Sequence, residues 1–189
     1  HHHLDEREKS STEIILNLSG QLIYSCIIVI LFFMYFQQFR NDYLGSSRVM
    51  LLTCTLFLVF PLITYAIVVH SDISPYMLPY CITPIFIRIF MDSRTAFIAH
   101  LMTLLMCVPA VSQPAEFLTI QALAGLTAII SLQQLNERSE LFRAILIVLA
   151  VSVLSYISIQ LINRRVLFIE DVNYTDLISI AISCLLLMI

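Results

Sequence analysis

Few side chains in this sequence are equipped for covalent chemistry. Beyond the three histidines at its start, only His70 and His100 remain. A metal-dependent phosphohydrolase of the His-Asp type needs several histidines and an adjacent His-Asp pair to hold its metals, and His70-Ser71-Asp72 does not supply one. P-loop, G-x-S-x-G and H-E-x-x-H patterns are absent. The sequence therefore predicts no catalytic residues, bound cofactor or metal ligands within this chain. Its five cysteines (Cys26, Cys54, Cys81, Cys107, Cys184) lie singly in apolar runs without a C-x-x-C pair, which points to small packing residues rather than zinc or disulfides.

What remains is a set of polar groups in apolar surroundings. In Pro84-Ile-Phe-Ile-Arg88-Ile-Phe-Met-Asp92-Ser93-Arg94 the arginine and aspartate stand one helical turn apart and can pair. A charge at mid-membrane costs about 2.5–3.5 kcal/mol or more, so Arg88 is expected to reach the membrane surface or pair with Asp92. Arg88, Asp92 and Arg94 then form either the clamp of a helical hairpin or a ligand or signalling contact. His100 shares a face with Thr103 and Cys107. An intramembrane histidine is a functional candidate, but no second ligand stands at metal spacing. Glu116 and Gln121 begin a later run, where a glutamate suits the positive end of a helix dipole. Pro79 and Pro84, with Pro75, crowd one run and should kink or unwind it; that run is the candidate two-state element. Three stripes recur at helical spacing: Asn17, Gln21 and Tyr24; Ser152 and Ser155; Thr175, Ser179 and Ser183. They could line a shared polar cavity or mark helix–helix contacts, where interhelical hydrogen bonds average about 0.6 kcal/mol. Ala124, Gly125 and Ala128 suit a small-residue packing face.

The elements that must position these groups follow from composition. The chain has 189 residues, 59% hydrophobic and 12% charged, with a mean hydropathy of +0.91; soluble domains carry about 25% charged residues. A helix crossing a hydrocarbon core takes about 20 apolar residues, which leaves room for about seven. The runs are Ile14 to Phe36, Val49 to Val69, Pro75 to Phe90, Thr95 to Val111, Phe117 to Leu132, Leu141 to Ile162, and Asp176 onward. The expected fold is thus all-α, a polytopic transmembrane bundle of about seven helices over residues 14–189. Residues 1–3 read as a tag remnant, and 4–13 as a stalk or the end of an extracytoplasmic domain. Ser10 with Glu13 fits a capping box at the start of the first helix. The last run stops before it has spanned a bilayer, so the chain reads as truncated within helix 7. No secretory h-region with a cleavage site precedes the first helix.

Charge sets the orientation. The links after helices 1, 3 and 5 hold six bases (Arg40, Arg48, Arg88, Arg94, Arg138, Arg143) against four acids, while the other side holds four bases against nine acids. The positive-inside rule puts the N-terminus outside and the C-terminus in the cytoplasm. A formal charge of −3 with scattered bases provides no patch for nucleic acid.

The segment Pro84 to Phe97 (PIFIRIFMDSRTAF), the stretch Glu116 to Leu132 and the Asn136-Glu-Arg-Ser-Glu-Leu-Phe142 turn resemble the membrane region of bacterial seven-transmembrane receptors with an intracellular HD hydrolase domain, the Bacteroidetes branch above all. The resemblance implies an extracytoplasmic domain before the bundle and, after it, a cytosolic HD domain similar to cyclic di-AMP phosphodiesterases, holding two metal ions. It implies no catalytic residue here, since the family's His-Asp residues have no counterparts in this chain. The expected partners are the lipid bilayer and those two domains, with a small-molecule ligand and a second copy forming a homodimer left open by the sequence; the implied location is the bacterial inner membrane. The expected function is transmission of an external or intramembrane signal to the hydrolase. Two alternatives stand beside it: a small-molecule binding or transport module resembling the substrate-binding subunits of vitamin transporters, and a passive membrane anchor that dimerises the enzyme.

Overall fold

The computed structural model describes the backbone of residues 2–40, 47–71, 73–132, 138–164 and 174–187. Residues 136–137 of the predicted turn and the chain beyond Leu187 lie outside them. Among the described residues every regular element is helical: α1 (His2–Phe39), α2 (Ser47–His70), α3 (Ile82–Phe90), α4 (Ser93–Cys107), α5 (Pro114–Ser131), α6 (Arg138–Arg164) and α7 (Tyr174–Leu186), with 3-10 turns at Pro75–Met77 and Val108–Ala110. The seven helices fall on the seven apolar runs. Five spans are long and apolar enough to cross a membrane: Glu13–Phe39, Arg48–Val68, Ser93–Ala110, Pro114–Ser131 and Phe142–Asn163. Two shorter apolar segments, Pro75–Phe90 and Tyr174–Leu186, accompany them.

The chain divides into two compact units, His1–Gly45 and Ser46–Ile189. The first is carried by α1, whose 38 residues extend about 57 Å at 1.5 Å per residue. It runs unbroken from His2, so Ser10 lies inside the helix and does not cap it; eight residues before Ser10 already hold helical backbone. Toward its end Tyr35 stacks on Phe39 with centroids 5.5 Å apart.

In the second unit α4 packs against α2, α3 and α5, α5 lies along α6, and α7 packs on α6 and on the 3-10 turn at Pro75–Met77. The side chains are sorted against the usual rule of soluble folds. Leu51 and Leu62 are 68% and 70% exposed, and Ile130 and Leu154 also face outward, whereas Thr64, His100, Gln121 and Ser152 are buried. Water penalises such an arrangement and hydrocarbon favours it, because lipid solvates the outward leucines while buried polar groups bond within the protein. The chain is a multi-pass membrane protein.

Pro75 to Phe90 is where a single helix does not form. Its three prolines leave a 3-10 turn, an irregular stretch at 78–81 and the nine-residue α3. Ser74 starts the turn, its hydroxyl accepting the Tyr76 N–H at 3.4 Å. Pro79 lies in the irregular stretch and Pro84 in the first turn of α3, a position where a missing N–H is tolerated. Pro84 therefore helps start this helix and does not kink it. The freed backbone is covered: Ser183 of α7 donates to the Leu78 carbonyl at 3.0 Å, and Tyr80 and Tyr76 drive their rings into the core. There Tyr80 meets Phe60 and Phe117, with the Phe117 contact edge-on at 5.1 Å, and Tyr76 meets Phe117 and Tyr156. Such aromatic pairs are each worth about 0.5–1.5 kcal/mol beyond their burial, which fixes the broken segment between α2, α5 and α6.

Candidate functional site

Polar side chains gather in three places. The first is a cavity of about 430 Å³ where the α2–α3 and α4–α5 links meet the end of α6 and the start of α7. Its polar lining includes Tyr76, Ser112, Glu116, Gln160, Asn163 and Asp176. Glu116 occupies the first turn of α5 and Asp176 that of α7; acidic residues are favoured at such positive helix ends. Each carboxylate is held by a neutral donor from α6. Gln160 Nε2 donates to Glu116 at 2.8 Å, and the Tyr156 hydroxyl donates to Asp176 Oδ2 at 3.0 Å. The Tyr76 phenol lies within the field of both acids.

Directly inward, a void of about 10 Å³ is lined by Tyr76, Gln121, Ser152, Ser183 and the cysteines Cys81 and Cys184, among others. That is room for about one water molecule, with polar groups to hold it. Tyr76 belongs to both cavities and so forms the wall between them.

The third place is the α4–α5 contact. His100 is fully buried, its Nε2 3.0 Å from the Gln121 carbonyl oxygen, while Nδ1 has no hydrogen-bond partner. Gly125, one turn beyond Gln121, lies under the imidazole. Nearby, Thr64 Oγ1 of α2 is 2.8 Å from the Tyr80 hydroxyl and 3.5 Å from Cys107 Sγ. Cys107 is thus a buried, bonded thiol.

These placements divide the candidates of the sequence. Glu116 lines the outer cavity; Gln121, Ser152 and Ser183 line the inner one; His100 sits beside them. Ser152 and Ser179 turn their hydroxyls to carbonyls of their own helices, at 2.8 and 2.7 Å, whereas Ser183 bonds across elements. Ser155 is partly buried on α6, Asn17 is exposed and Gln21 half-buried on α1. The α3–α4 hairpin is separate from this group. Asp92 accepts the Thr95 hydroxyl at 2.6 Å at the start of α4; Arg88 Nε is buried without a hydrogen-bond partner, and Arg94 is exposed. Asp92 thus bonds within the first turn of α4. Sequence reasoning did not single out Tyr76, Tyr156, Gln160 or Asp176 as site residues. The available signal was an amide near the end of an apolar run and an acid in the first turn of another. Among the described residues no three metal-ligating side chains come together.

A family model described as a 7TM receptor with intracellular HD hydrolase matches residues 15–189. The chain belongs to this family. No curated protein and no solved structure matches it. The family description pairs a seven-helix receptor domain with an intracellular hydrolase, and the seven helices of this chain correspond to the receptor part.

Proposed function

We propose that this chain is the signal-transducing membrane domain of a receptor whose cytosolic HD domain hydrolyses cyclic di-AMP. The observation that carries the reading is the family match across residues 15–189. On this reading the N-terminus faces outside and α7 leads toward the cytoplasm of a bacterial cell, as the six-to-four distribution of bases favours. The outer cavity then opens on the external side, where it can meet a ligand before α7 passes the change inward. Metal chemistry belongs to the HD domain. This chain contributes the bias between two bundle arrangements, and only a ligand that binds the two unequally can shift them.

The test uses the full native polypeptide in lipid with manganese, comparing it with Ser183→Ala. That substitution removes the hydroxyl joining α7 to the Leu78 carbonyl and touches no catalytic group. A coupling element worth about 0.5–2 kcal/mol changes the hydrolysis rate by about 2- to 30-fold. A folded variant with the parent's rate, together with an unrelated membrane anchor that supports the same rate and regulation, would reduce the bundle to a passive anchor. Absence of cyclic di-AMP hydrolysis in the parent would remove the substrate assignment.

A further inference from the structure

We infer that the bundle has a second arrangement in which the Thr83 hydroxyl of α3 donates to His100 Nδ1 of α4. The inference rests on the receptor reading above and names a contact exchanged between its two states. Thr83 Oγ1 and His100 Nδ1 are buried without a hydrogen-bond partner, in residues that are 1% and 0% exposed. Such orphans are costly and call for a physical account. Thr83 owes its state to the break before α3. Thr53, Thr64, Thr103 and Thr127 each donate to the carbonyl four residues back in their own helices. For Thr83 that carbonyl belongs to Pro79 in the irregular stretch, where it accepts the Ile82 N–H at 3.0 Å. His100 owes its state to α5. Its Nε2–Cδ2 edge lies against Gly125, and Nε2 donates to the Gln121 carbonyl. Nδ1 of the neutral ring is then a bare acceptor, on the ring corner opposite the edge that meets α5.

Two observations put these groups at one level of the bundle. α3 ends at Phe90, α4 begins at Ser93, and the two helices fold back on each other across Met91 and Asp92. Thr83 stands seven residues before the first boundary and His100 seven after the second, so equal rises bring them abreast. Independently, Cys81 and Ile85, on either side of Thr83, pack in one cluster with Ala124 and Ala128 of α5, and Gly125 between those alanines meets His100. The hydroxyl donor and the bare nitrogen are complementary, and helix shifts of about 1–2 Å are a common form of switching. α3 is suited to such a shift. It has nine residues, follows an irregular stretch, and is tied to α7 through the Ser183 bond to the Leu78 carbonyl, so its movement is felt by the C-terminal helix.

The readout is 15N solid-state NMR of histidine-labelled full native polypeptide in lipid, where Nδ1 resonates differently as a bare and as a hydrogen-bonded acceptor. The His100 signals are assigned by their loss in His100→Gln. The parent should show both forms of Nδ1. Ser183→Ala, which releases the stretch before α3, should enlarge the bonded share. Thr83→Val keeps the shape without the hydroxyl and should abolish that share, Thr83→Ser should retain it, and Thr127→Val, whose hydroxyl bonds within α5, should leave the signals unchanged. Thr83→Val should also change the hydrolysis rate by about 2- to 30-fold, with Thr83→Ser nearer the parent; this comparison stands even if His100→Gln fails to fold. A single bare Nδ1 signal in both the parent and Ser183→Ala, or Thr83→Val and Thr83→Ser acting alike, would overturn the inference. Failure here differs from failure of the receptor reading. No bonded Nδ1 signal alongside a rate response to Ser183→Ala removes only the Thr83–His100 contact, whereas a bonded signal that Thr83→Val abolishes at an unchanged rate removes only the signalling.

Discussion

Gly125→Ala and Gly20→Ala should change stability in opposite directions. Alanine is a better helix former than glycine by about 1 kcal/mol, so an unobstructed replacement stabilises. At Gly20 in α1 an added Cβ meets nothing within 4 Å, and Gly20→Ala should gain up to about 1 kcal/mol. At Gly125 the same atom would overlap His100 Nε2 and Cδ2 and lie 3.1 Å from Cε1. The imidazole is fully buried and must shift, breaking its contact with the Gln121 carbonyl. Overpacking costs about 1–3 kcal/mol and the hydrogen bond about 0.5–1.5 kcal/mol. Offset by the helix gain, the net loss should be about 0.5–3.5 kcal/mol, or roughly 1–14 °C in melting temperature for a domain of this size. Thermal unfolding of the purified protein in detergent, followed by scanning fluorimetry, gives the shift. His100→Ala removes the obstacle, so the double variant should be more stable than the sum of the two single losses by about 1 kcal/mol or more. Strict additivity, or a stabilising Gly125→Ala, would refute the assignment of His100 as the group that requires glycine at this crossing.

The hairpin gives a second stability test. If Asp92 serves as the acceptor for Thr95, Asp92→Ala should lose about 1 kcal/mol and Asp92→Asn much less; equal losses in both would assign its effect to charge, as an ion pair with Arg88 requires. For topology, cysteines are placed at Ser93 and Ser112, at opposite ends of α4, in a background lacking Cys26 and Cys54, since the other three thiols are buried. An impermeant thiol reagent on intact cells should label the Ser112 position and spare Ser93, and the reverse pattern would invert the orientation.

The helices were legible because hydrocarbon imposes a length. The run Val49 to Val69 is α2 within two residues at either end, and Leu141 to Ile162 is the apolar body of α6. Where another constraint acted, the reading by runs was less sharp. Proline content announced an interruption at 75–90, but whether a proline breaks a helix or begins one depends on its place in the turn. Pro84 became a helix-starting residue because the chain had already reset at 78–81. Ser10 followed by Glu13 has the composition of a cap and lies in mid-helix, since a capping box signals an end only where the preceding backbone is not helical. The site was legible in part. Glu116, Gln121 and His100 stood out as polar groups in apolar runs, and the structure places Glu116 on the outer cavity, Gln121 on the inner void and His100 against the Gln121 carbonyl. Tyr76, Tyr156, Gln160 and Asp176 belong to separate segments and become a site only through tertiary packing, which no local spacing records.

The same packing supplies a physical route from cavity to C-terminal helix. Tyr76 is shared by the outer cavity and the inner void, and Asp176 and Ser183 place both ends of α7 on these two spaces. Ser183 in turn holds the irregular stretch that carries Tyr80. On the proposed reading, a change at the outer cavity reaches α7 at its first turn through the Tyr156–Asp176 bond and farther along through Ser183. Reversing a 1:99 population takes about 5.5 kcal/mol of differential affinity, while a hydrogen bond to a charged group contributes about 1.5–3 kcal/mol. One such contact alone supplies too little, so a signal that reverses the populations must act on several contacts of α7 at once.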